Sequence, residues 1–435
     1  MIWNLRGCYE VLLVGESSSD VMSVWRVLRW LMVMIVMSDA IMCLPNTRHQ
    51  VWRVGSRGSN VVQQLLVAGM LDVLNHSGSS RTVRVPPESL TEVKDALQDA
   101  GIPYQVLIHD LAAHLQAADE EGRERRSADN SSCTVSSCPA PLNTHYMTFS
   151  QMEWYLRDVN TSSPTRITVS SIGKSVEGRN IWLAHILPSQ PSDKAVWLEA
   201  GLHAREWISP AVALHLIHHM ITNTSATSSV DVFIVPMANP DGYVYTWITD
   251  RLWRKNRRVN GGARCDGVDL NRNWDSHFGV GASNNPCSEV YQGPSAFSEP
   301  ETKALRDAML KLKDNLELVL ALHSYGQDLL YPWGWSTGEE APGKHDLIAI
   351  GQVFTQAVKN ATGTEYAVKN AAEGYYVASG ATDDWAMEAL HTKYVYTLEL
   401  RDQGRQGFLL EPANILACSE EIWQGITQVI KKINA

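Results

Sequence analysis

The spacing of apolar and polar positions divides the chain into two stretches. Between Gln50 and Ala118 the pattern changes quickly between period two and period 3.6. It predicts strands at Gln50–Val54, Thr82–Val85 and Tyr104–Ile108, with an amphipathic helix at Asn60–Leu74 and helices at Pro87–Ala100 and Asp110–Ala118. These make a small α+β module with no obvious chemistry of its own. From Met147 onward longer strands and helices take turns. The strands are Ile167–Ser171, Ile181–Ile186, Val196–Ala200, Val230–Pro236, Leu316–His323 and Tyr394–Leu400. The helices are Met152–Val159, Pro210–Ile221, Glu299–Lys313, Asp346–Asn360, Asp384–Leu390 and Ser419–Ile433. Such alternation predicts an α/β fold, a mixed and mostly parallel sheet covered by helices on both faces.

Between the two stretches runs the charged segment Asp119–Arg126, followed by a Ser/Pro-rich linker, Ser127–Asn143. One reading is two domains joined by a solvated linker. The other is a prosegment removed by a trypsin-like protease after Arg125 or Arg126, since exposed basic pairs are where proteases cut. The resulting division is a leader over 1–43, a prosegment over 44–126, a linker over 127–143 and a main domain over 144–435.

Charge and composition narrow the function. A net charge of -10 argues against a nucleic-acid partner, and the basic run Arg251–Arg258 is local. The apolar run Trp30–Met37 is too short to span a bilayer. With Arg26 and Arg29 before it and Ser38-Asp39-Ala40 behind, it suits a signal peptide. The residues ahead of Met22 are atypical of an n-region and point to a start at Met22. Sequons at Asn75, Asn130, Asn160, Asn223 and Asn360 fit a secretory route. Cys265 and Cys287 bracket a Gly/Asn/Ser-rich loop and are expected to pair; Cys133 with Cys138 is a second option, and Cys418 is left as a buried thiol.

Candidate chemistry gathers at strand ends. His203-Ala204-Arg205-Glu206 lies between the strand that ends at Ala200 and a helix for which Ser209 is the expected N-cap and Pro210 the first residue. Ligands of open α/β sheets bind at such strand-to-helix turns. A His and a Glu three residues apart can share one cation. His323 ends an apolar run, and Glu399 sits inside another, where an ionised group is costly unless paired or near a metal. Asn239-Pro240-Asp241-Gly242-Tyr243 reads as a strong turn.

With these residues in view, the chain resembles the zinc metallocarboxypeptidases of the pancreatic, digestive type in precursor form, and among them the B type. The resemblance rests on Gly201–Trp207, Asn239–Tyr243, Arg251–Lys255, Gly267–Trp274, His323–Tyr325, Tyr375-Tyr376 and Thr397–Asp402, in the family's order. Val51–Ala117 looks like the family's prosegment. The resemblance implies one Zn2+ held by His203, Glu206 and His323, with Glu399 as general base then acid and Arg254 beside the oxyanion. It implies that Asn271 and Arg272 grip the substrate's C-terminal carboxylate and that Tyr376 closes over it. Arg205 and Arg251 look like accessory contacts, and Tyr325 and Phe408 like pocket lining; the bland reading of Arg251 is a surface arginine. Asp383 stands where members that remove Lys and Arg carry an aspartate, although Thr382-Asp383-Asp384 also reads as a helix cap. Asp328 and Glu373 add negative charge near the expected pocket.

The expectation is therefore a secreted, monomeric zymogen, without a membrane span, that hydrolyses C-terminal Lys or Arg from peptides after a trypsin-like cleavage. Its alternatives are apolar or broad specificity, or an inactive homologue that binds peptide C-termini.

Overall fold

The computed structural model describes residues 48–55, 59–77, 80–115, 140–223, 230–262 and 265–434. The leader, Arg125, Arg126, Cys133, Cys138 and Asn130 lie outside the described residues. The first module contains β1 (Gln50–Gly55), α1 (Ser59–Val67), β2 (Asp72–Ser77), β3 (Ser80–Val85), α2 (Leu90–Asp99) and β4 (Tyr104–Ile108). Its four strands form an antiparallel sheet of order β2-β3-β1-β4. The helix expected over Asn60–Leu74 ends at Val67 because Gly69 adopts φ +77°, a conformation that stops a helix and turns the chain. The second half of that stretch becomes the strand β2, a difference with consequences for the site.

The main domain opens with α3 (Phe149–Ser162), capped by Thr148 and Gln151 in a reciprocal box. It continues through β5 (Ile167–Lys174), β6 (Asn180–Ile186), β7 (Ala195–Ala200), α4 (Ile208–Thr222), β8 (Asp231–Val235) and α5 (Pro240–Ile248). There follow α6 (Pro300–Leu310), β9 (Leu316–Ser324), β10 (Asp328–Tyr331), α7 (Lys344–Thr362), β11 (Ala367–Asn370), α8 (Thr382–Leu390), β12 (Tyr394–Leu400) and α9 (Ile415–Ile433). The eight-stranded sheet has the order β11-β10-β12-β9-β7-β8-β6-β5. Its centre, β12-β9-β7-β8, is parallel, and antiparallel pairs occur on either side. Central parallel strands are buried on both faces, which is why β7 and β9 read as nearly unbroken apolar runs. Helices flank the sheet, as expected. The four-residue strands β10 and β11 have no counterpart among the expected elements; they are too short to show a period.

Two local expectations change. The segment Asn239–Tyr243 is not a free turn but a helix start: the Asn239 side chain accepts the Gly242 amide at 3.0 Å and Pro240 is the first residue of α5. The Asn239 amide also donates to Leu202 O at 3.2 Å and Lys255 O at 3.0 Å, pinning two loops together. Helix α4 starts at Ile208, with Trp207 as its N-cap. Ser209 instead donates to Glu206 O at 3.0 Å and accepts the Gly201 amide at 3.2 Å, so its hydroxyl closes the turn after β7. Gly201 is required there: its φ is +66°, and a Cβ would lie 2.7 Å from the Met237 sulfur.

Cys265 and Cys287 form a disulfide, and Cys418 is a buried free thiol. Asn160, at one sequon, accepts the Val169 amide at 2.7 Å. No helix among the described residues is long and apolar enough to cross a membrane.

Candidate active site

The parallel register decides which side chains meet. In the β12–β9 ladder Glu399 lies opposite His323, and β7, their neighbour in the same sheet, runs on through Gly201 into the turn carrying His203 and Glu206. The carboxyl ends of three adjacent strands therefore deliver their polar residues to one crevice, the position at which open α/β sheets bind ligands.

His203 Nδ1 lies 2.7 Å from Glu206 Oε1, His323 Nδ1 lies 3.0 Å from Glu206 Oε2, and the two Nδ1 atoms are 3.1 Å apart. All three residues are buried. Two imidazole nitrogens facing one another across a carboxylate form a donor set for a cation, and these residues make up a group whose ligand atoms lie within 4.8 Å of one another. The other ring nitrogen of His203 is occupied: Nε2–H donates to Asp269 Oδ1 at 3.1 Å, which fixes the tautomer that leaves Nδ1 as a lone pair. Asp269 Oδ2 meanwhile accepts from Arg254 Nη2 at 2.9 Å and Nε at 3.1 Å. Burial works against the Asp269 charge, but Arg254 and His203 hold its carboxyl well below the ordinary range.

Glu399 faces this group across the cleft. Burial pushes its carboxyl up to about 8, aided by the Glu206 charge and opposed by His323. Arg254, Asn271, Arg272 and Tyr376 line the same space. Arg272 Nη2 donates to the Tyr376 hydroxyl at 2.8 Å and Nη1 to Asn271 O at 2.6 Å, while Arg272 Nε is buried without a partner among the described residues. Asn271 Oδ1 accepts the Thr382 amide at 3.2 Å, which holds the head of α8 against the 271–272 turn. Gly380 permits that approach, since a Cβ there would lie 2.5 Å from Arg272 O.

Asp383 is 4% exposed and lines the cleft. Its Oδ2 accepts from Thr397 Oγ1 at 2.9 Å and its Oδ1 from the Asp384 amide at 2.9 Å. Among the described residues no Lys or Arg pairs with it. The Asp384 carboxylate turns the other way, accepting the amides of Gly334 and Trp335. The N-cap of α8 is Ala381, so neither aspartate is the cap residue. Glu199, on β7, is a third carboxyl in this region: Trp197 Nε1 donates to it at 3.2 Å, and burial pushes its carboxyl up.

Tyr325 and Phe408 line the cleft and pack edge to face at 4.8 Å. Arg205 also lines it, stacked at 4.5 Å on Phe408, with its guanidinium paired to Asp72 of β2. Arg251 does not belong with them. It is half-buried and outside the lining: Nη1 donates to Arg205 O at 2.8 Å, Nη2 to Phe408 O, and the guanidinium stacks on Trp207 at 3.8 Å. These contacts tie it to the Arg205 and Phe408 backbones. Asp328 and Glu373 likewise do not face the cleft. Asp328 pairs with Lys369 at 2.8 Å and with the Tyr375 hydroxyl, and Glu373 is exposed.

The N-terminal module covers the opening. Val73 and Leu74 of β2 are part of the cleft wall. Ser288 donates to Leu66 O at 2.7 Å, Asn285 to Ala68 O at 2.8 Å, and Arg84 pairs with Glu289 at 2.8 Å. Asp269, Glu199 and Asp72 are the residues of this region to which sequence reasoning assigned no role. Glu199 breaks the apolar run of β7, the same signal that marks Glu399, whereas Asp269 lies in a loop with no such run around it.

Comparison with known proteins agrees with this geometry. The profile described as "Zinc carboxypeptidase" matches residues 152–425, and that described as "Carboxypeptidase activation peptide" matches residues 59–118. Carboxypeptidase A4 of Mus musculus is 38% identical over 360 residues, 81% of this chain and 83% of its own. Carboxypeptidase B of Astacus astacus is 36% identical over 292 residues, 66% of this chain and 96% of its own. The crystal structure of carboxypeptidase A from Helicoverpa armigera superposes with a TM-score of 0.81 at 31% identity, covering 89% of this chain and 98% of that one.

Proposed function

Because this chain belongs to the zinc carboxypeptidase family and carries that family's activation peptide, we propose that it is a secreted zymogen which, after trypsin-like cleavage near Arg125 or Arg126, removes C-terminal Lys and Arg from peptides. The observation that carries the basic preference is Asp383, a buried carboxylate on the cleft wall with no basic partner among the described residues. Such a group favours a cationic side chain and penalises an apolar one.

Zn2+ fits the donor set of His203, Glu206 and His323, because two Nδ1 lone pairs and a carboxylate converge and Asp269 fixes the tautomer of one imidazole. When bound, it supplies a Lewis acid that polarises the scissile carbonyl and acidifies water. The chain's own groups do the rest. Arg272, with the amide of Asn271, binds the substrate's free carboxylate, and Tyr376 shields it; this makes the enzyme an exopeptidase. Glu399, in its ionised form, accepts the proton of the attacking water and returns it to the departing amine, so the peptide bond breaks with one carboxyl and one amino group formed. Arg254, immobilised by Asp269, presents its guanidinium to the developing oxyanion. The N-terminal module keeps substrate out by occupying the cleft with Val73 and Leu74 and pairing Arg205 with Asp72.

The test is hydrolysis, by the cleaved protein, of matched blocked dipeptides ending in Arg, Lys, Phe or Leu. Release of Arg and Lys, abolished by a chelator, is expected. Release of Phe or Leu instead would leave the family chemistry and remove the role given to Asp383. No release from zinc-loaded protein would favour the inactive, peptide-binding reading.

A further inference from the structure

Away from the cleft, α4 and α9 bring together three further ligand-type side chains. His215 and His219 stand one helical turn apart on one face of α4, with ring centroids 4.4 Å apart. Glu420 on α9 completes a set whose ligand atoms all lie within 4.8 Å of one another. We propose that His215, His219 and Glu420 form a second metal site, structural rather than catalytic, for a divalent cation of zinc's class.

The tautomer of His215 supports this. His215 is 2% exposed, its Nδ1–H donates to Asn143 Oδ1 at 2.8 Å, and its Nε2 is buried with no hydrogen-bond partner among the described residues. A buried imidazole with one nitrogen anchored on a carbonyl oxygen and a bare lone pair on the other is the second-shell arrangement of a metal ligand. An unsatisfied buried polar atom otherwise costs stability without return.

The remaining partners are braced in the same way. Gln424 donates to Glu420 Oε1 at 2.6 Å and leaves Oε2 for a cation, and the Trp423 ring packs against His219 at 5.0 Å. Zinc–ligand bonds of about 2.0–2.2 Å separate the donors of a tetrahedral site by roughly 3.4 Å, so modest side-chain rotation closes the set. His219 and Glu420 are half-buried, which gives an ion an entry path and leaves a coordination position for water. A cation here crosslinks α9 to α4, the helix that begins two residues after Glu206.

The test is zinc content of the full chain equilibrated in zinc-buffered solution, read by elemental mass spectrometry. Two zinc ions per wild-type chain are expected, and one in each of His219→Ala and Glu420→Gln, with the thermal midpoint no longer rising as free zinc is increased through the second binding step. Glu420→Gln keeps size and polarity, and normal peptide hydrolysis after cleavage reports that each variant is folded. One zinc per wild-type chain, or two in both variants, would overturn the proposal. Either result leaves the peptidase reading untouched, because that reading rests on a different set of ligands.

Discussion

Arg205 and Asp72, 133 residues apart in the chain, form a two-pronged ion pair across the opening of the cleft, with Nη1–Oδ2 at 2.5 Å and Nη2–Oδ1 at 3.2 Å. Both side chains are almost fully buried. Burial alone would favour the neutral acid, yet Arg205 and Arg84 hold the Asp72 carboxyl below its ordinary value. Removing one member of a buried pair costs about 3–5 kcal/mol. Asp72→Ala therefore loosens the module from the cleft, and the uncleaved precursor gains peptidase activity by about tenfold or more while the cleaved enzyme is unchanged. Side-by-side rates of cleaved and uncleaved protein check this; an uncleaved variant as inactive as the parent removes Asp72 from the inhibitory contact.

The charge of Asp383 is separable from its shape. Asp383→Asn keeps an acceptor for the Asp384 amide and can donate its own NH2 to the Thr397 hydroxyl, but removes the anion that would meet a guanidinium. A difference of about 3 kcal/mol corresponds to roughly a hundredfold in kcat/KM. The ratio of Arg to Phe release is expected to fall by that factor, through loss of the basic substrate. An unchanged ratio would place the specificity determinant elsewhere, with Glu199 behind Asp383 the next group to vary.

Much of this site was legible because charge interrupts apolar strands. His323 ends one run and Glu399 sits inside another that otherwise satisfy the buried-strand pattern, and the parallel register then sets them side by side. Glu199 sends the same signal inside a strand that reads as core, whereas Asp269 lies in a loop where no apolar run marks it. Asp72 was illegible for a different reason. Hydrophobic spacing carried the helix past Gly69, and only the left-handed turn there converts the following residues into the strand that reaches Arg205. The anchoring of Arg251 was also hidden, since a sequence does not show that two backbone carbonyls and an indole wait for one guanidinium.

Glu399→Gln removes the proton carrier and keeps the volume. General acid–base catalysis contributes about 10²–10⁴-fold, so kcat is expected to fall by at least that much, with KM and zinc content unchanged. His323→Ala, in contrast, loses zinc together with activity. Metal analysis beside steady-state kinetics separates the two. A Glu399→Gln enzyme that retains more than about a tenth of the parent kcat would reassign the proton transfer.

A last prediction concerns stability and uses a carboxyl outside the cleft. Glu301 is fully buried in the first turn of α6, where Oε1 accepts the Val176 amide at 3.0 Å and Oε2 the Asn256 amide at 3.1 Å. Burial pushes its carboxyl up from 4.5 to about 7, with the neighbouring Glu299 adding to the shift and these hydrogen bonds limiting it. The folded chain therefore holds a proton there that the unfolded chain has already released. The stabilising contribution is complete below about pH 4.5 and is lost as pH rises through about 7, at roughly 1.4 kcal/mol per pH unit within that window. Glu301→Gln, which cannot ionise, is expected to keep more of its thermal midpoint between pH 5 and pH 8 than the parent does. If parent and variant lose stability in parallel over that range, the Glu301 carboxyl is ionised in the folded chain and its two donors outweigh its burial.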